Sequence, residues 1–245
     1  MKSSLHTLEV WGDFACWSQP ELKVERWSYP CPTPGAARGV FDAIFCKPHN
    51  HRTGDRGSAQ FRWAVTRIEL LNPPSYIALR RNEVGSVGPS GRTVDQWAKG
   101  KLPQPLMADD PDVRQQRQTM ALRDVRFRIT GQIIPWPAHR EMQKSFDEQF
   151  VRRALHGKCF HQPYLGCREF VAFYRYVPAG DSSAPPCNWS SDIGLMVYDV
   201  FDLSTPGHNS SRPFISLFHA RMDHGVLDVP GWHDPRVLKP EGGTV

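Results

Sequence analysis

Residues 33–48, TPGAARGVFDAIFCKP, hold the pattern that decides the fold, because they predict a helix with both of its ends marked. Thr33 is a residue type that caps helix N-termini, and Pro34 suits the first helical turn. Apolar side chains then recur at helical spacing at Ala37, Val40, Phe41 and Ile44. Lys47-Pro48 ends the pattern, since the residue before a proline avoids the helical conformation. We therefore predict a helix from about Pro34 to Phe45.

The segments around this helix predict strands. Apolar and polar residues alternate over Leu8–Trp11 before the helix and over Phe61–Leu70 after it. The second of these segments changes parity midway, which indicates a β-bulge. The odd-numbered apolar residues of Val125–Ile133 predict a third strand, and its other face carries Arg126 and Arg128. This strand should have one basic side.

A second helix follows the third strand. Met142, Phe146, Phe150 and Ala154 stand four residues apart, so they form one apolar stripe. Gly157 stands where a C-cap glycine belongs. This periodicity makes Phe146 a predicted core residue.

The remaining segments set the domain organisation. Residues 80–112 are polar, rich in Gly, Pro and Ser, and lack a hydrophobic repeat, so we expect them to project from the body. Short apolar runs after residue 186 predict a small antiparallel sheet followed by a loose tail. The order of elements favours an α+β fold, a ferredoxin-like βαββαβ unit with an all-β piece after it. We predict one domain over 1–186 and a β subdomain over 187–245.

Composition adds little about function. The chain has 245 residues, 40% of them hydrophobic, and a formal net charge of +5, which hints weakly at a polyanionic partner. Its six cysteines include no C-x-x-C pair, so we expect free thiols and no structural zinc site. The first residues lack the apolar core of a signal peptide, and no apolar run is long enough to span a membrane. A reducing cytoplasm fits this cysteine usage.

Three blocks of the sequence carry a resemblance to a known family. They are GDFACWSQPELKVERWSYPCPTPGAARGVFDAIFCKP from Gly12, RRNEV from Arg80 and KCFHQPYLGCREF from Lys158. In these blocks and in their order, the chain resembles the Cas-five family of the type I-C CRISPR systems. The resemblance implies a ferredoxin-like body of the RNA-recognition type, a thumb formed by about residues 80–112, and a C-terminal antiparallel sheet.

The same resemblance implies a function. Type I-C members of the family cut CRISPR repeat RNA without a metal or other cofactor. They then stay on the 5′ handle of the guide RNA as a subunit of the Cascade surveillance complex. The implied partners are the guide 5′ handle, the repeated backbone subunit and the large subunit through which the complex reads target DNA. No membrane partner is implied.

Basic and aromatic residues of the first block are candidates for contacts with RNA. Cations hold phosphates and flat rings stack on unpaired bases. The basic candidates are Lys23, Arg26, Arg38 and Lys47, interleaved with Trp17, Trp27 and Tyr29. The alternative is that the rings belong to the core and the charges to a solvated surface. For Arg38 we favour RNA binding, because it lies on the polar face of a helix whose other face is apolar.

The other two blocks hold further RNA-binding candidates. Arg80 and Arg81 contact phosphates, or else an arginine pairs with Glu83 to hold a hairpin together. In the third block the candidates are Phe160, His161, Tyr164 and Arg168. Two residues there have structural alternatives, a tight turn at Gly166 and an ion pair between Arg168 and Glu169.

The catalytic positions implied by the resemblance are altered in this chain. Metal-independent cleavage needs a base near the 2′-hydroxyl and a cation near the phosphate. The matching positions fall on Phe45, Ser145 and Phe146. His139 and Lys144 are the candidate replacements, if the second helix carries an insertion.

His49 and His51 are the other candidates for the missing group. We reject a metal at these two histidines, because no carboxylate or thiol completes a ligand set.

Three functional hypotheses stay open. The chain binds guide RNA and also cuts its precursor, or it binds guide RNA without cutting. A third hypothesis is a general single-strand binder with no preference for a CRISPR repeat, although the predicted strands lack the aromatic signature of such proteins.

Overall fold

The computed structural model describes residues 4–22, 24–47, 59–85, 89–102, 111, 114–181, 184–205 and 214–240 of the 245-residue chain. Within them the fold is mixed α and β, with one large antiparallel sheet and few helices. The strands are β1 (Leu5–Ala15), β2 (Arg26–Trp27), β3 (Phe61–Leu70), β4 (Tyr76–Val84), β5 (Arg114–Pro135), β6 (Phe173–Val177), β7 (Ser191–Asp199), β8 (Ser216–Met222) and β9 (Val226–Asp228). The α-helices are α1 (Pro34–Ile44), α2 (Gly91–Ala98) and α3 (Gln143–Leu155), and short 3-10 helices span Pro20–Leu22 and Pro137–Met142. None of these helices is long and apolar enough to cross a membrane.

The start of α1 follows from its local sequence. The Thr33 hydroxyl accepts a hydrogen bond from the Ala36 N–H at 3.2 Å, and Pro34 occupies the first turn. The predicted apolar stripe is buried, with Phe41 and Ile44 fully inaccessible. The helix ends at Ile44, since Phe45 already has extended backbone angles. The predicted helix is therefore confirmed to within one residue at its C-terminus.

The large sheet runs in the order β6-β1-β5-β3-β9. Trp63 of β3 lies between the two long helices, with its ring centroid 4.6 Å from Phe41 of α1 and 4.6 Å from Phe150 of α3. Leu8 and Ile129 face each other across β1 and β5 in the same core. Both helices therefore cover one face of the sheet.

The details of α3 and β3 agree with the sequence pattern. Phe146, Phe150 and Ala154 are buried, and Gly157 has the positive φ of +63° expected after a helix. The register of β3 against β5 shifts between Val65 and Arg67, which confirms the predicted bulge.

The C-terminal strands do not all form one small sheet. β7 and β8 pair as a two-stranded antiparallel sheet, but β9 pairs with β3 and extends the large sheet. The prediction that Gly225–Val229 belongs to a separate C-terminal sheet is wrong for β9. The cause is a long-range pairing, Ile68 opposite Leu227, that local alternation does not encode.

The sheet face away from the helices carries the predicted arginines, but carboxylates neutralise them. Glu9 Oε1 lies 2.6 Å from an Arg126 nitrogen, and Glu9 Oε2 lies 2.7 Å from an Arg175 nitrogen. Arg128 pairs with Glu69 at 3.0 Å. The side chains of Glu9 and Glu69 are only 3% and 10% exposed. The basic side of β5 is therefore an internal ion-pair network.

Glu9 gives a prediction about pH. Burial raises the pKa of this carboxyl, but hydrogen bonds from Arg175 and Arg126 outweigh burial and hold the pKa below its ordinary 4.5. A carboxyl with a lowered pKa stabilises the fold above the unfolded pKa, and this stability is lost as pH falls through the folded value. We expect the unfolding free energies of the natural chain and of Glu9→Gln to differ most at neutral pH and to converge below about pH 4.5. Urea unfolding over this pH range measures the difference, and a gap that stays constant down to acid pH would contradict the prediction.

The polar excursion contains regular structure. β4 pairs antiparallel with the first part of β5, from Tyr76 opposite Leu122 to Val84 opposite Arg114. The pairing of β5 with β1 begins at Leu122. The first part of β5 therefore pairs with β4 in the hairpin, and the rest pairs within the large sheet. We call β4, α2 and Arg114–Leu122 the arm. The helix α2 buries none of its residues.

Candidate functional site

One face of the arm is lined by guanidinium and amide groups. Cross-strand partners of an antiparallel pair lie on the same face, and Arg80 stands opposite Gln118 while Asn82 stands opposite Gln116. Arg114 continues this face at the end of the hairpin. The residues Arg80, Asn82, Arg114, Gln116 and Gln118 are all exposed, and we call them the amide-guanidinium face. This set includes no carboxylate.

The opposite face of the arm is an ion-pair network. Arg26 of β2 lies 3.0 Å from a Glu83 oxygen, and Arg117 lies 3.7 Å from the other. Arg81 donates to Glu169, and this hydrogen bond lowers the pKa of the Glu169 carboxyl. Two of the predicted RNA-binding arginines, Arg26 and Arg81, therefore have carboxylate partners within the protein.

Arg38 lies in the interior of the protein. Its guanidinium donates to Asp199 of β7 through two nitrogens, at 2.9 and 3.1 Å, and to Asp42 at 2.8 Å. The Arg38 side chain is 11% exposed and that of Asp199 only 2%. The expectation that Arg38 occupies an exposed polar helix face is wrong, because β7 packs against that face of α1.

The other candidates of the first block divide between core and surface. Trp17 and Tyr29 are buried, which matches the alternative that these rings belong to the core. Trp27 is 43% exposed and packs beside Tyr76 of the arm. Lys47 lies over the Phe45 ring, with 5.9 Å from Nζ to the centroid. Lys23, and also His49 and His51, lie outside the described residues.

The third block forms a loop with exposed rings. Phe160 and Tyr164 are 50% and 45% exposed, and His161 and Arg168 are exposed as well. The Arg153 guanidinium lies over the Phe160 ring, 4.0 Å from its centroid. Glu169 takes Arg81 as its partner, so the alternative of an Arg168–Glu169 ion pair is wrong.

The tight turn at Gly166 is confirmed. Gly166 has a φ of +85°, and a Cβ at this position would overlap the Cys16 carbonyl oxygen.

The positions matched to the family's catalytic groups hold buried rings. Phe45 and Phe146 are each 1% exposed, and both pack on Phe61, with ring centroids at 5.2 and 5.0 Å. The prediction that Phe146 is a core residue is confirmed. Ser145 is exposed on α3. Neither phenylalanine has a group that can move a proton.

The two candidate replacements lie in different surroundings. His139 is half-buried in the 3-10 helix before α3. Lys144 is 83% exposed at the start of α3, with its Nζ 3.8 Å from Glu148. Lys144 lines a cavity of about 890 Å³ between α3, the start of β1 and β6, and His139 is not among the lining residues.

The same cavity is lined by a buried histidine–aspartate pair, His6 and Asp147, which the sequence patterns did not indicate. His6 Nε2 lies 2.8 Å from Asp147 Oδ1, and the Gln143 amide donates to Asp147 Oδ2 at 3.1 Å. His6 Nδ1 is buried and has no hydrogen-bond partner among the residues that the structure describes. The available signal was the parity of β1, since His6 shares the buried face of Leu8.

Residues 7–230 match the family model described as CRISPR-associated protein (Cas_Cas5). The chain belongs to this family. It is 36% identical over 248 residues to "CRISPR pre-crRNA endoribonuclease Cas5d" of Thermus thermophilus, covering 96% of each chain. It is 33% identical over 243 residues to the protein of the same name from Mannheimia succiniciproducens, covering 95% of this chain and 97% of the other.

Solved structures share the Cas5 fold of this chain at low sequence identity. A functionally uncharacterized protein from Streptococcus mutans superposes with a TM-score of 0.60 at 16% identity, covering 95% of both chains. A structure described as a CRISPR-associated protein superposes with a TM-score of 0.57 at 17% identity, covering 93% of this chain and 92% of the other. At such identities the likeness concerns the fold alone.

The three sequence blocks of this Cas5 chain meet beside the ion-paired face of the arm. The first and second blocks are joined by Arg26 and Glu83, and the second and third by Arg81 and Glu169. The first and third are joined by the Cys16 N–H, which donates to the Leu165 carbonyl at 3.0 Å. Residues of all three blocks therefore help to hold the arm in place.

Proposed function

We propose that this chain is a CRISPR pre-crRNA endoribonuclease that also holds the 5′ handle of the guide RNA. Membership of the Cas5 family and the names of the two relatives support this function. The single structural observation that carries RNA binding is the amide-guanidinium face of the arm. Guanidinium groups recognise phosphates, while amides donate to and accept from bases and ribose.

The lack of a carboxylate distinguishes this face from the surroundings of other arginines in the protein. Arg126, Arg128 and Arg38 all have carboxylate partners within the chain. Arg80 and Arg114 occupy a set of side chains without a carboxylate, so an RNA phosphate does not have to displace an acidic group from that set. We therefore assign Arg80 and Arg114 to phosphates. The exposed groups of the third block, His161, Tyr164 and Arg168, are proposed as further contacts.

Salt dependence tests this assignment. Each phosphate contact to single-stranded RNA contributes about 0.7 to the slope of log affinity against log salt. We expect Arg80→Ala and Arg114→Ala each to weaken binding of repeat RNA and to reduce the slope by about 0.7. Arg117→Ala is the matched control, because Arg117 lies on the opposite face of the arm beside Glu83. Equal slopes for all three variants and the natural chain would contradict the assignment.

The fold proposal follows from sheet order. The succession β1, α1, β3, β5, α3, β6, with neighbours in the order β6-β1-β5-β3, supports a ferredoxin-like unit of the RNA-recognition type. We propose the arm as the thumb of this unit. The division into 1–186 and 187–245 stays a proposal, as do the Cascade backbone and large subunits and the target DNA as partners.

We further propose that cleavage needs no metal. Purified chain is incubated with repeat hairpin RNA in excess EDTA, and the expected products carry a 5′-hydroxyl and a cyclic phosphate. His139 and Lys144 are the proposed catalytic groups, and Lys144 would set its charge beside the cavity that holds His6. Cleavage that appears only after a divalent metal is added back contradicts metal independence.

The second candidate function is binding without cutting. The buried rings of Phe45 and Phe146 favour it, because proton transfer has no group at these positions. The binding-only function predicts tight binding of repeat RNA and no cleavage product, either in EDTA or with added divalent metal. Competition with scrambled RNA separates both candidates from a general single-strand binder, for which the two RNAs compete equally.

A further inference from the structure

Two cysteines meet where the end of β1 contacts the loop at residues 163–172. The Cys167 thiol donates to the Cys16 carbonyl oxygen, with 3.9 Å between the Cys167 Sγ and that oxygen. On its other side, the Cys16 Sγ lies 3.6 Å from the Ser18 hydroxyl. Both cysteines are free thiols.

The backbone holds the two thiols together. The Cys16 N–H donates to the Leu165 carbonyl at 3.0 Å, which fixes the strand end against the loop. Gly166 packs so closely on the Cys16 carbonyl that no side chain fits there. Arg81 holds the loop from the arm through Glu169. Main-chain contacts therefore hold Cys16 and Cys167 close together, and the proximity does not depend on side-chain orientation alone.

The electrostatic surroundings make Cys16 the nucleophile of the pair. The neighbouring Cys167 thiol lowers the pKa of Cys16 to about 7, against the effect of burial and with help from Ser18, Arg26 and Arg81. The neighbouring Cys16 and burial raise the pKa of Cys167. Cys31, by contrast, is fully buried, and burial raises its pKa to about 12. The thiolate is the reactive form of cysteine.

We propose that Cys16 and Cys167 form an oxidation site, at which a peroxide converts the two thiols into a disulfide that ties the loop to β1. The Cys16 thiolate attacks one peroxide oxygen, the O–O bond breaks, and the leaving hydroxide takes a proton to become water. The product is a sulfenic acid on Cys16. The Cys167 sulfur then attacks the Cys16 sulfur, the S–O bond breaks, and the departing hydroxyl leaves as water with the Cys167 proton. Two thiols lose two electrons, and one peroxide is reduced to two waters.

A small oxidant suits the accessibility of the site. Cys16 is 2% exposed and Cys167 is half-buried, so a peroxide reaches the sulfurs more readily than a bulky disulfide does. The new bond would lie beside the Arg81–Glu169 ion pair. Oxidation would therefore covalently fix the loop to which Arg81 of the arm is paired.

The test uses the full chain, fully reduced and then exposed to a small excess of hydrogen peroxide. Remaining thiols are blocked by alkylation, and non-reducing digestion with mass spectrometry locates the crosslinks. We expect a linked peptide pair containing Cys16 and Cys167, and a fall in free thiols from six to four because one disulfide consumes two. Dithiothreitol should restore all six.

Two variants keep the proposal falsifiable. Cys167→Ser should stop at the sulfenic acid, which a dimedone adduct on Cys16 reports, and Cys31→Ser should form the disulfide as the natural chain does. The proposal is overturned if Cys16 and Cys167 are alkylated separately after peroxide, if another pair is linked first, or if Cys167→Ser loses thiols in the same way. These readouts need no RNA, so they stand or fall independently of the proposed function.

Discussion

Arg38→Met is expected to lower the free energy of unfolding by about 3–5 kcal/mol, since it leaves a buried carboxylate without its cation. Asp199 is 2% exposed, and Arg38 donates to both of its oxygens. Among the described residues, the other donors to Asp199 Oδ1 are the backbone N–H groups of Val200 and Phe201, which cannot replace a full charge. Urea unfolding followed by circular dichroism measures the change.

The matched control is Arg92→Met on α2. Arg92 is exposed, so the same chemical change should alter the unfolding free energy by less than about 0.5 kcal/mol. If Arg38→Met is as stable as the control, Arg38 is not part of a buried ion pair. The RNA contact predicted from the sequence would then need to be considered again.

Arg38 also shows why part of the structure was not predictable. The stripe of α1, its Thr33 cap and the Gly157 terminus of α3 are local signals, and each is confirmed. Whether the polar face of α1 meets water depends on β7, which lies more than a hundred residues later in the chain. A charged residue opposite an apolar stripe looks the same in the sequence whether solvent or a second sheet covers it.

The strands of the arm were not predictable from the sequence for a different reason. The pairs of its hairpin from Arg80–Gln118 to Glu83–Gln115 are polar on both faces, so this part of β4 and β5 lacks the apolar alternation by which half-buried strands are found. The sequence predicted an excursion, but the regular pairing from Arg114 onward was not anticipated. Arg80 and Arg81 are adjacent in sequence but lie on opposite faces of the arm, and Arg81 pairs with Glu169. RNA binding by either residue stays a prediction.

At the positions matched to the family's catalytic groups, the sequence pattern predicted only the core residue, Phe146. The stripe of α3 identified Phe146 as buried, while His6 and Asp147 come together through tertiary contacts 141 residues apart in sequence. His6 also lies before Leu8, where the predicted alternation of β1 begins. No local sequence pattern around His6 or Asp147 indicates that the two residues form a hydrogen-bonded pair.

Lys144→Ala is expected to lower the single-turnover cleavage rate of repeat RNA by about 100-fold or more, the effect of removing one group that stabilises developing charge. Lys144 and Arg152 are exposed cations that line the 890 Å³ cavity, and the contact of Lys144 with Glu148 at 3.8 Å is too loose to occupy Lys144. His139→Ala is expected to have a comparable effect, since general acid–base groups contribute about 10²–10⁴-fold. Both rates are measured in EDTA at saturating protein, so that weaker binding does not enter.

Lys239→Ala is the control, because it removes an equal charge beside Trp232 in the C-terminal part of the chain. Lys144→Arg should retain more activity than Lys144→Ala if the charge is what matters. Unchanged rates for Lys144→Ala and His139→Ala would refute both assignments while leaving cleavage itself standing, and the His6–Asp147 pair would become the next group to substitute. If the natural chain gives no product but the Arg80 and Arg114 variants still lose affinity, the arm binds RNA in a protein that does not cut it.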